Sequence, residues 1–468
     1  MEMTTAWNQN QEKSFGRTVC TIAVPVALQS MLQYSFSMVD QVMIGQLGST
    51  SIAAVALAAK FSFLFSVIAG AVATVAGIMI SQFLGANDEK ESWRSFHVNM
   101  VMAGLAALIF TLAGLFLADL ILSLYTEDGN AIAEGAVYLR IISFTFIPMA
   151  ASTIAAAWLR CNEKASIPLY ASFAAVVCNT GLNYILIFGK CGFAPMGSRG
   201  AGYATVISQF LNLTFMIIGF RICMKKGKKQ MFLSLRLTKM TSGQYLMILL
   251  PILVNEFLWS LGENVYAAIY GHIGTASLAA ATLTNPIQGL FTGALSGLSG
   301  AAAVIIGKQL GKKDYDQAYK DSKKLMALGM AGALILSVLL VALSGCYVAI
   351  YQVEPEVKQL TKALLVIFAV FAPVKVCNMI LGGGVIRSGG NTKIVMVIDL
   401  IGTWGFGVPL AFLTANVMKL SVPYVYAILS LEEVIRLGIS IVIFRRRIWM
   451  QSIGQENGKN MTAQTEQA

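Results

Sequence analysis

The chain has 468 residues, of which 56% are hydrophobic and only 12% charged, with a formal net charge of +11 and a mean hydropathy of +0.69. Soluble domains carry about 25% charged residues, so this composition cannot build a water-soluble surface. The positive balance is read as basic loops against anionic lipid and not as nucleic-acid binding, because no folded basic domain exists to carry the latter.

Residues 1–16 are polar, and the first apolar run is too long for the h-region of a cleavable signal peptide, so it is expected to stay as a helix. By the criterion of about 20 apolar residues per crossing, twelve spans are predicted. The first six lie at 17–46, 52–83, 95–124, 133–160, 164–189 and 200–223. The other six lie at 243–272, 278–308, 321–350, 359–386, 392–417 and 420–444. The expected organisation is a cytoplasmic N-terminus (1–16), a first lobe (17–224), a basic linker (225–241), a second lobe (242–446) and a polar tail (447–468). The end of that tail, QENGKNMTAQTEQA, reads as disordered.

Of the 34 Lys and Arg residues, about 25 fall on the N-terminus, the even-numbered connections and the C-terminus, and about five on the odd-numbered connections. The positive-inside rule then places both termini in the cytoplasm. The segment RICMKKGKKQMFLSLRLTKM, from Arg221, carries seven of these charges and reads as a linker along the membrane surface.

The chain repeats itself once. PVALQSMLQYSFSMVDQVMIGQLGSTSIAA, from Pro25, matches PILVNEFLWSLGENVYAAIYGHIGTASLAA, from Pro251, at an offset of 226 residues. That register pairs Gly45 with Gly271, Gly48 with Gly274, and SQFLGANDEKE from Ser81 with GKQLGKKDYDQ from Gly307. Six spans per copy is an even number, so both copies run in the same sense. The predicted fold class is an all-α integral membrane protein, with twelve transmembrane helices in two parallel-repeat six-helix bundles around a central cleft. A pair of such bundles can rock about the cleft, which is the form of a two-lobed transporter.

A charge at mid-bilayer costs at least about 2.5–3.5 kcal/mol, so each one needs a partner or a purpose. Pro25 and Pro251 sit early in spans 1 and 7 and mark candidate kinks. On span 1, Gln33, Ser37 and Asp40 share a face, and Asp40 lies about 10 Å from the outer end. Lys60 on span 2 lies at a matching depth, so an Asp40–Lys60 pair is expected. Burial disfavours the carboxylate and a neighbouring ammonium favours it. Those opposing effects would set Asp40 to titrate or to exchange its proton for Na⁺. Asn179 and Asn183 lie four residues apart on one face of span 5, and their amide oxygens suit Na⁺ or a protonated carboxyl. Helix–helix hydrogen bonding is the structural alternative.

In the second copy, Glu256, Trp259 and Glu263 form one stripe on span 7, and Lys375 on span 10 is the expected partner of Glu256. Asp399 and the Glu432, Glu433 and Arg436 group lie closer to the cytoplasm; the last three are read as pairs along one helix. Seven scattered cysteines and two distant histidines offer no metal cluster, so no metal centre is expected apart from Na⁺ near Asp40 and Asn179. No HExxH, P-loop or nucleophile motif appears, which argues against an enzyme or an ATP-driven pump.

These residues carry a resemblance. Pro25 followed by Asp40-Gln41-Val42-Met43-Ile44-Gly45-Gln46-Leu47-Gly48, then NTGLNYILIFG from Asn179, NEFLWSLG from Asn255 and VIRSGGNTK from Val385 resemble the MATE (multidrug and toxic compound extrusion) family of the MOP superfamily across all twelve spans. The resemblance implies two bundles facing across a large cleft. It implies export of amphipathic, usually cationic, organic compounds in exchange for H⁺ or Na⁺, without a cofactor. It implies coupling at Asp40 with Asn179, and a part for Glu256. Some MATE branches carry a span 10 aspartate; this chain has Lys375 and Asn378 there, and Asn391 stands for the aspartate of a GGDTK-like segment. Gln33 and Tyr34 on span 1 are counted with Glu256, Trp259, Glu263 and Lys375 as cleft residues. A lipid-linked oligosaccharide flippase of the same superfamily is the alternative; Lys60 and Lys375 in one continuous cleft would favour it. The expected partners are amphipathic small molecules and membrane lipid, with no nucleic acid, and the chain is expected to act as a monomer.

Overall fold

Long apolar runs without water to solvate their backbone must satisfy their own N–H and C=O groups, and helices do so. The structure, a computed structural model, describes residues 2–226 and 242–453, and those residues form helices and short connections without strands. Spans 1–6 are Glu2–Gly45, Ser49–Gly85, Glu89–Phe116, Gly129–Cys161, Ser166–Phe188 and Ser198–Lys226. Spans 7–11 are Ser242–Ile273, Thr275–Gly311, Tyr315–Ala349, Pro355–Ile386 and Thr392–Val417. The expected linker lies outside the described residues from 227 to 241, as does the tail from 454 onward.

Eleven helices among the described residues are long and apolar enough to cross a membrane. The twelfth span is broken at Ser430 into Val422–Leu429 and Leu431–Arg445, and neither piece alone is long enough to cross a membrane. Two other boundaries differ from expectation. Span 1 begins at Glu2, so the polar N-terminal segment continues the first helix. Span 3 stops at Phe116, and the rest of the expected run forms a separate short helix, Ala118–Ser123. Spans 1 and 7 run through Pro25 and Pro251 without a break in the helix.

Spans 9 and 10 pack with span 8 and each other, span 12 packs on spans 10 and 11, span 11 packs on span 7, and spans 1–6 form the other bundle. The bundles meet where span 1 lies on span 8 and span 2 lies on spans 7 and 8. Leu105, Ile109 and Phe116 on span 3 and Ile335 and Val338 on span 9 are exposed. A soluble protein rarely shows apolar patches of that extent, whereas lipid covers them without penalty. Small residues permit the interlobe approach: a methyl group on Gly297 of span 8 would overlap the Ala23 carbonyl of span 1. Spans 10 and 11 contain wide-turn π segments, Met379–Ile386 and Ile401–Gly407, a geometry common at functional sites.

Candidate functional site

Span 5 turns two amides toward span 1. Asn183 Nδ2 donates to Asp40 Oδ1 at 2.7 Å and to Asn179 Oδ1 at 2.7 Å. Asn179 Nδ2 donates onward to Ser208 Oγ at 3.1 Å and to Thr205 Oγ1 at 3.4 Å on span 6. Asn179 and Asn183 are only 2% and 1% exposed, so this polar chain runs through the interior of the bundle. Among the described residues Asn183 Oδ1 is buried without a partner. An unpaired amide oxygen beside a carboxylate can accept a bond from protonated Asp40 or ligate a small hard cation. Among the described residues no three His, Cys, Asp or Glu side chains cluster as a metal site.

Lys60 does not join this group. Its side chain is exposed and its Nζ lies 5.8 Å from the Tyr125 ring centroid. Equal depth did not make a pair because spans 1 and 2 touch little, and span 2 faces spans 3 and 4 instead. The expected Asp40–Lys60 pair is therefore replaced by the Asp40–Asn183 bond. Gln33 is exposed, and Tyr34 lays its ring against Gly289 and Gly293 of span 8.

An interlobe cavity of about 280 Å³ separates span 2 from span 7. Phe63, Ser66, Gly70 and Thr74 line one wall, and Glu256 and Trp259 the other. Glu256 pairs with Arg387 at 3.4 Å, and not with Lys375 as expected. Arg387 directly follows the π segment of span 10, a helix form common at functional sites. Lys375 instead lies in the field of Glu433, Tyr426 and Glu263, inside the second bundle. Glu263 is exposed.

A buried charge network fills the second bundle. Arg436 lies 3.4 Å from Glu432, 3.8 Å from Glu433 and 3.9 Å from Asp399, so the expected pairs along span 12 form and a span 11 carboxylate joins them. Tyr266 donates to Glu432 at 2.7 Å, Asn378 to Glu433 at 2.8 Å, and Asn255 to Asp399 at 2.9 Å. Arg436 also bonds Thr403. Glu432, Glu433 and Arg436 are each below 9% exposed. Spans 7, 10, 11 and 12 are thus tied by one network, in which Asn378 Oδ1 and Arg436 Nε are buried without a hydrogen-bond partner among the described residues.

Sequence reasoning missed Arg387, Thr205, Ser208 and Tyr266. Arg387 stood in view within VIRSGGNTK, but its partner is 131 residues away. Hydroxyls and phenols carry no charge that would single them out in a hydrophobic helix.

The MatE family model matches the chain twice, at residues 25–185 and 251–413. The uncharacterised transporter YisQ of Bacillus subtilis is 24% identical over 96% of this chain and 97% of its own length. A probable multidrug resistance protein NorM of Agrobacterium fabrum is 25% identical over 85% of this chain and 87% of its own. The solved Vibrio cholerae MATE transporter VcmN has the same fold, with a TM-score of 0.83 at 18% identity over 93% of this chain and 97% of that one.

Proposed function

The chain belongs to the MatE family of membrane transporters, and from that premise we propose that it is a secondary antiporter, exporting amphipathic and largely cationic organic compounds in exchange for H⁺ or Na⁺ by alternating access. The observation that carries this reading is the buried chain from Asp40 through Asn183 and Asn179 to Ser208. Asp40 takes the coupling ion, with Asn183 Oδ1 as the second oxygen that a proton or Na⁺ would use. Moving the proton or Na⁺ changes the charge of that site, and span 1 carries the change to span 8 of the other lobe. Glu256 and Trp259 offer a carboxylate and an aromatic face to a substrate in the interlobe cavity. In this reading the chain is a monomer of the bacterial inner membrane with both termini cytoplasmic, contacting lipid and small molecules but no nucleic acid. The exporter is preferred to an oligosaccharide flippase because neither Lys60 nor Lys375 lines the interlobe cavity.

Purified protein in vesicles tests this. Uptake of a fluorescent cation should follow an imposed proton or Na⁺ gradient, each applied alone to identify the ion. Asp40→Asn should lose driven uptake by on the order of tenfold or more, the scale of a coupling free energy between sites. Normal uptake by Asp40→Asn together with loss in Glu256→Gln would move the coupling to the second lobe and overturn the assignment.

A further inference from the structure

On the face that carries the ends of spans 2, 4, 8 and 10, the contacts between the lobes include a buried Tyr245–Asn99 hydrogen bond and two contacts that the duplication relates to each other. In the 226-residue register Gln82 aligns with Lys308 and Gly85 with Gly311. Spans 2 and 8 cross at this point. A methyl group on Gly85 would overlap the Lys308 carbonyl, and one on Gly311 would overlap the Gln82 carbonyl. Each backbone seats on the other's glycine, so the crossing has a local twofold character.

From the crossing, each of the two aligned side chains reaches into the opposite lobe. Gln82 Nε2 donates to the Ser388 carbonyl at 2.7 Å, in the helical end that follows the π segment of span 10. Lys308 Nζ donates to Glu163 Oε1 at 2.6 Å, in the turn after span 4. Glu163 and Ser388 both lie at the ends of corresponding spans, 4 and 10, so the targets are related as well. The chemistry differs between the copies. Gln82 is neutral and 2% exposed, whereas Lys308 and Glu163 are an ion pair 23% and 42% exposed.

The Gln82 contact has a second fastening. Ile453 N–H donates to Gln82 Oε1 at 2.6 Å, and Gln82 Nε2 also faces the Gln451 carbonyl at 3.3 Å. Trp449, fully buried, anchors this segment by stacking on Phe444 with ring centroids 5.7 Å apart.

We propose that Gln82 and Lys308 are paired interlobe latches that hold the transporter closed on this face, and that the chain after span 12 locks the Gln82 latch alone. They are positioning residues of the transport cycle, and the inference rests on the alternating-access reading above. Thr74, the cavity residue nearest to Gln82 on span 2, is about 12 Å along the helix from it. Both latches stand between the cavity and this face, so both must release before the cavity opens toward it. Salt screens the exposed ion pair and leaves the buried amide untouched.

The test is thiol accessibility, which needs no transport. A Thr74→Cys reporter is placed in a chain whose seven native cysteines are replaced, and an impermeant maleimide is applied from the latched face. Labelling should be slow in this parent. Gln82→Ala, and a chain ending at Met450, should speed it by on the order of tenfold; a chain ending at Gly454 should not. Lys308→Glu should speed it too, and adding Glu163→Lys should return it to slow. Unchanged labelling in monodisperse Gln82→Ala and Lys308→Glu protein, or no rescue by the charge swap, overturns the latches. Labelling that responds as stated in a protein without gradient-driven uptake would retain the latches and sink the antiporter reading.

Discussion

Arg436 shows how much a single side chain carries in an interior without water. It serves three carboxylates, Asp399, Glu432 and Glu433, within 3.4–3.9 Å. Removing one member of a buried ion pair leaves an uncompensated charge and costs about 3–5 kcal/mol, while replacing all partners with apolar or neutral groups is often harmless. Arg436→Met alone should therefore lower thermal stability in detergent sharply. Adding Glu432→Gln and Glu433→Gln should restore much of it. Equal melting of Arg436→Met and the parent would show the network to be idle. Asp40 makes the contrasting case. Its side chain accepts a bond from the Asn183 amide, and among the described residues no ion pair to it forms, so neutralising it should spare the fold and remove coupling.

Among elements, span 11 is shaped by what it must pass. Its π segment carries Gly402 beside the Arg436 side chain, and Gly407 beside Glu432 and Tyr266. A methyl group at Gly407 would overlap both the Glu432 carboxylate and the Tyr266 hydroxyl. Gly407→Ala should break that bond and destabilise by about 1–3 kcal/mol, the usual cost of overpacking. Gly438, on span 12, has nothing within 4 Å of the place a methyl group would take, so Gly438→Ala should be neutral or stabilise by up to about 1 kcal/mol. Melting curves of the two variants side by side check this, and equal shifts would count against the close approach. Span 12 itself breaks at Ser430, whose hydroxyl bonds back to the Tyr426 carbonyl at 2.7 Å. Apolar periodicity alone made that span look continuous.

At the scale of the whole molecule, the lobes are joined by packing along spans 1, 2, 7 and 8. A chain divided within residues 227–241 should therefore reassemble when its halves are produced together, and the halves should copurify; failure to copurify would show that covalent linkage is needed. The pseudosymmetry is legible in the 226-residue register, and the family model repeats from the same two prolines. The register also shows where the copies diverge: Asp40 aligns with Tyr266, Ser30 with Glu256 and Ser37 with Glu263. The sequence by itself determined the membrane class, the helical spans, the duplication and the shared face of Asn179 and Asn183. Those features depend on runs of apolar residues and on the 3.6-residue turn, which are local properties. Only the tertiary structure decided which charges meet. Glu256 finds Arg387 and not Lys375, Lys60 leaves Asp40 for Tyr125, and Gln82 binds backbone 306 and 369 residues away. Depth along a helix is set by residue count, but the direction a side chain faces across the bundle depends on helix rotation, π segments and glycine crossings, and those are fixed only when the helices pack.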